Sequence, residues 1–344
     1  MIRKDIRSLN AYHVQDSDGM VKLDAMENPY VLPEGLRKAW LEHLAGVDVN
    51  RYPDADMLAL REKIAALDGV RPEQILIGNG SDEIIQMILM AVDPGTCITP
   101  EPTFVMFGLM SRWLKRPMAT TPLNKDFSLD PMQFLTIGAR EKAEVAFLAC
   151  PNNPTGNMWS REALEKIVSS FRGMIVIDEA YRPFATRTHV DLIDPHVLIL
   201  RTFSKLGWAG LRLGYAIGDA DVIEDLNKVR LPYNINSLSQ ASAMFFMDNY
   251  EVFEEQARLI CRERFRVSAA LTAMDGVEVF PSEANFLLLR VADADTAFKG
   301  LLERKILIKK LHGQHALLDQ CLRVTIGTPV ENDLFLNALK EVLA

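Results

Sequence analysis

Short apolar runs recur between positions 75 and 200, and each stops abruptly at a polar cluster. Ile75-Leu76-Ile77 leads into Gly78-Asn79-Gly80-Ser81-Asp82-Glu83, and Val145-Ala146-Phe147-Leu148-Ala149 into Cys150-Pro151-Asn152-Asn153-Pro154-Thr155-Gly156. Met174-Ile175-Val176-Ile177 leads into Asp178-Glu179-Ala180-Tyr181, and Val197-Leu198-Ile199-Leu200 into Arg201-Thr202-Phe203-Ser204-Lys205. Uninterrupted apolar runs of this length predict strands covered on both faces, as in a parallel sheet. Helical spacing fills the gaps: Ile84, Ile85, Ile88 and Leu89 form one stripe, and Leu164, Ile167 and Val168 form another behind a Ser160 cap. A further short strand is expected over 96–99, followed by a helix reaching about Lys115. Alternating strands and helices predict an α/β fold, with a mostly parallel sheet between helices.

The flanks read differently. Residues 1–32 are polar and irregular, carrying Tyr12 and Asn28-Pro29-Tyr30. Such an arm can pack on the body or a partner subunit, or cover a cleft. Pro33 opens a helix over 33–45 with Leu36, Trp40 and Leu44 on one face, and Arg51-Tyr52-Pro53-Asp54 is a turn. Asp56 is expected to cap a second helix, which Gly69 stops. Past Pro232 the pattern becomes one long helical stretch over 238–274. Strands at 277–280, 286–290, 306–308 and 322–326 follow, with helices at 294–304 and 331–343. The expected domains are an arm and first helix (1–45) packing with a small α+β domain (241–344), and a large domain (46–240).

Aligned parallel strands put their C-terminal ends along one edge, where open α/β sheets bind ligands. A lysine, an acid, a phenol and an amide then share a site. The glycines at 78 and 80 open a helix whose free N–H groups suit a phosphate, although a plain capped turn is an alternative. A dinucleotide fingerprint would need a small residue where Glu83 stands, and a P-loop would need Gly-Lys-Ser/Thr. Arg212, seven positions beyond Lys205, is a second anion ligand. These residues meet the demands of a phosphorylated aromatic aldehyde held as an imine on Lys205. Asp178 would face the ring nitrogen, with Tyr181 and Asn153 at the ring oxygen. Phe104 would stack on the ring or pack in the core. Ser81, Asp82, Thr202, Ser204 and Arg212 would hold the phosphate, and a freed Lys205 amine would act as general base.

Composition narrows the alternatives. The chain has 344 residues, 49% hydrophobic, enough for a large core and a smaller second one. Its 38 basic and 46 acidic residues give a net charge of −8, which offers no broad cationic surface for nucleic acid. No apolar run is long enough to span a membrane, and Met1 to Asp5 lack a secretory apolar segment, so a cytoplasmic location is expected. Cys97, Cys150, Cys261 and Cys321 are scattered as reduced core residues, and His312 with His315 has no partner that would make a metal site.

Read together in this order, the motifs resemble the fold type I pyridoxal-phosphate-dependent aminotransferases, and within them the histidinol-phosphate aminotransferase family. They are Glu27-Asn28-Pro29-Tyr30, Arg51 to Asp54, Gly78 to Glu83, Pro151 to Gly156, Asp178 to Tyr181, Arg201 to Lys205, Ala209 to Arg212, Ala284-Asn285-Phe286 and Leu322 to Gly327. The resemblance implies pyridoxal 5'-phosphate as cofactor, Lys205 as its covalent anchor and a homodimer in which Tyr52 reaches the partner's phosphate site. It implies that Arg323 grips the anionic end of both substrates, histidinol phosphate and 2-oxoglutarate, assisted by Tyr12, with Asn28 and Asn153 also at the substrate. Lys309 stands near where some members have a second substrate arginine, and a lysine there neutralises phosphate without a bidentate grip. Taken alone, Arg323 reads rather as a structural ion pair, and Lys309 equally as a solvated lysine. The same residues would serve an aromatic amino-acid aminotransferase or a phospho-amino-acid decarboxylase. A nicotinamide dehydrogenase is disfavoured by Glu83, and a ligand-sensing transcription regulator by the short arm.

Overall fold

In the large sheet of the computed structural model, which describes residues 1–9, 11 and 15–344, seven strands run side by side. Their spatial order is Ile75–Gly78, Gly214–Ile217, Val197–Thr202, Met174–Asp178, Ala143–Ala149, Thr96–Glu101 and Met118–Pro122. All neighbours are parallel except Gly214–Ile217, which is antiparallel to the strands on both sides. The apolar runs form strands here because each face has its own core. Ile175, Ile177 and Ile199 enter one hydrophobic cluster, while Val176, Leu198 and Leu200 enter a second on the opposite face. The expected α/β class and the four apolar strands are therefore present.

Some local expectations need correction. Asp56 does not cap the helix Leu58–Asp68; Met57, at φ 50°, makes the turn, and the Asp54 carboxylate accepts from the Asp56 amide at 3.0 Å. The stretch expected as one helix over 238–274 is two, Ser237–Met247 and Tyr250–Thr272. The break falls at polar residues, where Asn249 Nδ2 donates to the Phe245 carbonyl at 2.8 Å and so ends the first helix. Gly214–Ile217, Met118–Pro122 and the helices Pro131–Arg140 and Ala220–Asn227 were not apparent from the pattern.

A second, antiparallel sheet orders Lys309–Lys310, Cys321–Thr325, Phe286–Arg290 and Glu278–Val279. The leading segment is clipped to this part of the molecule. Val21–Lys22 pairs in parallel with Ile306–Leu307, and the Leu23 carbonyl accepts from the Thr325 amide at 2.9 Å. The Met26 amide donates to Thr325 Oγ1 at 3.0 Å, and Asn285 Nδ2 donates to the Met26 carbonyl at 2.9 Å. The segment is thereby held to the small sheet and faces the edge of the large one, where the Ala25 carbonyl lies 3.4 Å from Lys205 Nζ.

That edge is tied together by a buried ionic network. The Arg201 guanidinium donates to Glu179 Oε2 at 2.7 and 3.0 Å, to Thr188 Oγ1 at 2.6 Å, and to Asp68. Glu179 also accepts from the His189 amide at 2.6 Å, and Tyr215 donates to Asp68 at 2.8 Å. Glu179, His189 and Arg201 are all buried. An Arg201→Met substitution would leave two buried carboxylates without their cation, and chemical denaturation should show a loss of about 3 to 5 kcal/mol.

Candidate active site

Three parallel strands deliver the chemistry to one edge. Met174–Asp178 ends on the acid itself, Ala143–Ala149 is followed by the Asn153 loop, and Val197–Thr202 runs into the turn carrying Lys205. Their C-terminal ends open on a cavity of about 390 Å³. Lys205, Asp178, Tyr181, Asn153 and Phe104 line it, and so do Ser81, Asp82, Thr202, Ser204 and Arg212. The Phe104 ring also packs edge-on against Phe107, centroids 5.4 Å apart, so its two expected roles are compatible.

At the floor, Asp178 is 3% exposed and accepts from the Ala180 amide at 2.9 Å. Burial pushes its carboxyl up to about 7; the amide opposes the rise, and the charges of Asp82 and Glu179 add to it. Burial in the opposite sense lowers the Lys205 amine to about 8, aided by the Arg323 cation and opposed by Glu27. Its Nζ lies 3.4 Å from the Ala25 carbonyl and 6.0 Å from the centre of the Tyr181 ring. Tyr181 is buried, which raises its phenol. An acid held partly protonated, beside an amine that gives up its proton near neutrality, suits proton transfer.

The opposite end of the cavity is built for an anion. Gly80, at φ 78°, opens the helix Ser81–Ala91, and a Cβ on it would stand 2.9 Å from Arg212 Nη2. Arg212 Nη2 is 4.0 Å from Asp82, whose carboxyl is raised by burial against the pull of Arg212 and Lys205. Thr202 Oγ1 accepts from the Ser204 amide at 3.1 Å, while Ser204 Oγ lies 3.4 Å from Arg212 Nη1. Glu83, which argues against a dinucleotide motif, reaches back to accept from the Asn79 amide at 2.6 Å and from Asn234 Nδ2 at 2.7 Å. It braces the glycine loop.

Arg323, on the small sheet, joins the site from across the cleft. It donates to Asn153 Oδ1 at 2.5 Å and to the Asp24 carbonyl at 2.9 Å, with its guanidinium 5.3 Å from the centre of the Phe286 ring. Other expected residues lie elsewhere. Tyr52 is 80% exposed and stacks on Tyr233 at 4.4 Å, outside the cavity. Asn28 holds the lysine turn from behind, donating to the Leu206 carbonyl at 2.8 Å and to Gln256 at 2.9 Å. Lys309 is exposed, opposite Arg323 in the antiparallel register. Tyr12 lies outside the described residues. Sequence reasoning missed Ala25 and Met26 as cavity wall and gave Glu27 no role there; the motif at 27–30 was the one available signal.

The chain matches the family described as aminotransferase class I and II over residues 18–339. It is 46% identical to a histidinol-phosphate aminotransferase 2 of Nitrosococcus oceani, across 98% of this chain and 96% of that protein. It is 43% identical to the histidinol-phosphate aminotransferase of Methylibium petroleiphilum, across 100% of this chain and 95% of the relative. The fold matches the crystal structure of histidinol-phosphate aminotransferase from Sinorhizobium meliloti in complex with pyridoxal-5'-phosphate, with a TM-score of 0.89 and 23% identity. That match covers 99% of this chain and 97% of the other.

Asp178 provides a thermodynamic test. Its folded value of about 7 lies above the ordinary carboxylate value of about 3.9, so the folded state binds this proton more tightly than the unfolded one. The stability it contributes is present below about pH 4 and is lost as pH rises through about 7. In protein stripped of small ligands, Asp178→Asn should raise the melting temperature at pH 8. That advantage should fade towards pH 4 in thermal scans.

Proposed function

Because the chain belongs to the aminotransferase class I and II family, we propose that it transfers the amino group of L-histidinol phosphate to 2-oxoglutarate. The products are imidazole acetol phosphate and L-glutamate, and the step belongs to histidine biosynthesis. The reading is carried by one observation: the acid, amine, phenol, amide and anion cradle expected for this chemistry line a single cavity. Relatives at 43% and 46% identity over nearly the whole chain support the choice of substrate.

Pyridoxal 5'-phosphate is the cofactor, and the residues fit it. Gly80 leaves the space beside Arg212 that a phosphate needs, at the N-terminus of the helix Ser81–Ala91. When bound, the cofactor supplies an aldehyde that takes up the amine and a ring that withdraws electrons from the neighbouring carbon. Asp178 holds a proton at the ring nitrogen, for which a buried carboxylate is well suited. Asn153 and Tyr181 would donate to the ring oxygen, and Phe104 would cover a ring face. Ser81, Asp82, Thr202, Ser204 and Arg212 orient the phosphate. Lys205 Nζ would anchor the cofactor covalently at rest, and as a freed amine it would take the proton from the substrate carbon and deliver it to the cofactor carbon. Arg323 binds first the phosphate of histidinol phosphate and then a carboxylate of 2-oxoglutarate, one cation serving both half-reactions. Lys309 adds positive charge on the same side.

We extend the proposal to a cytoplasmic homodimer in which Tyr52, exposed on its own chain, completes the partner's phosphate site. Tyr12 and Asn28 would act at the substrate end, Asn28 by fixing the lysine turn. We propose a division into 1–45, 46–240 and 241–344, supported by the two separate sheets, with the boundary at 240 falling within the helix Ser237–Met247. Among the described residues no helix is long and apolar enough to cross a membrane.

The yellow colour of purified protein should bleach on addition of histidinol phosphate and return with 2-oxoglutarate. Indifference to histidinol phosphate, with turnover of phenylalanine or O-phosphothreonine instead, would move the function to another member of the family. Lys205→Ala should lower turnover on the order of 10³-fold. Arg323→Lys should raise KM for both substrates by about tenfold, because the bidentate grip is lost.

A further inference from the structure

Glu27 has no part in the chemistry described above, yet it lines the cavity. Of the three acids in the wall, Asp178 lies at the floor, and Asp82 beside Arg212 at the anion end. Glu27 stands on the third side, on the leading segment. The carbonyls of that segment accept from Arg323 Nη2 at 2.9 Å, through Asp24, and from Lys205 Nζ at 3.4 Å, through Ala25. The segment that carries it thus touches both the proposed anion anchor and the reacting amine, and the Glu27 charge is felt by Lys205 more strongly than that of Asp82. The platform is rigid: Met26 is held at φ 54° by Thr325 and Asn285. Lys22 pairs with the carboxylate, which stays 51% exposed and free to exchange partners.

We propose that Glu27 selects the substrate by accepting a hydrogen bond from the imidazole ring of histidinol phosphate. This rests on the function proposed above and names the contact that reads the ring. Histidinol phosphate presents a phosphate, an amine and an imidazole. Arg323 meets the phosphate and Lys205 exchanges with the amine, which leaves the ring N–H groups in need of an acceptor. The other acids and hydroxyls of the wall are assigned to the cofactor. A carboxylate suits imidazole in either protonation state, since both carry an N–H donor. A site that hydrogen-bonds its substrate rejects an analogue lacking the donor, because the acceptor is then left unpaired.

The test compares histidinol phosphate with phenylalaninol phosphate, which keeps the amine and phosphate but replaces imidazole by phenyl. The wild-type protein should prefer the imidazole substrate in kcat/KM. Glu27→Gln should cut that preference about tenfold, chiefly through KM, as expected for loss of a charge-assisted hydrogen bond at a half-exposed site. Lys22→Met removes the same ion pair but leaves the carboxylate, and should largely retain the preference. An unchanged preference in Glu27→Gln, or an equal loss in Lys22→Met, would overturn the assignment and leave Glu27 an anchor of the 22–27 segment. Bleaching of the wild-type protein by L-glutamate reports the transaminase reading separately: failure with both glutamate and histidinol phosphate would overturn that reading and this inference with it.

Discussion

Arg201 holds the site together from behind. Its guanidinium bridges Glu179, at the end of one strand, and Asp68, at the end of a helix, while its own backbone continues into Thr202, Ser204 and Lys205. Asp178 precedes Glu179 directly, so the same clamp sets the spacing between the acid at the floor and the turn that presents the amine. Two anions and one cation buried together stabilise a structure less than they specify it, because removing any one leaves the others uncompensated. Glu179 also places a negative charge next to Asp178, which helps keep that carboxyl protonated to unusually high pH. Structure and reactivity are joined at this point.

The cavity has walls from separate parts of the chain. The parallel strands supply the floor and the lysine, the glycine loop and Arg212 line another side, and Arg323 on the small sheet reaches Asn153 of the lining. The leading segment, pinned by Thr325 and Asn285, closes the remaining side: its Ala25 carbonyl faces the Lys205 amine, its Asp24 carbonyl accepts from Arg323, and Glu27 lines the wall. Two arginines thus stand in different settings. Arg212 lines the cavity beside Asp82 and Ser204, and Arg323 holds Asn153. Burial lowers the Lys205 amine, and both arginine charges add to that effect.

The sequence by itself determined the strands and most of what stands at their ends. A run such as Val197 to Leu200 has only one stable setting, a strand covered on both faces, and its neighbour in the polymer, Lys205, must then emerge at the sheet edge. The same local logic reached Asp178, Tyr181, Asn153 and the Gly78 to Asp82 loop. Shape within the chain's interior decided the rest. Gly214–Ile217 became an antiparallel strand because the close approach of glycine lets it lie against the Ser81 amide, a contact that no periodicity announces. The leading segment became a cavity wall, and Asn28 a brace for the lysine turn, because hydrogen bonds join them to residues about 180 to 300 positions away. Arg201 read as one more charge in a motif until Asp68 arrived from a distant helix. Local patterns encode which faces are apolar and where an element must stop; which distant carbonyl or carboxylate meets a given side chain is decided only when those faces pack.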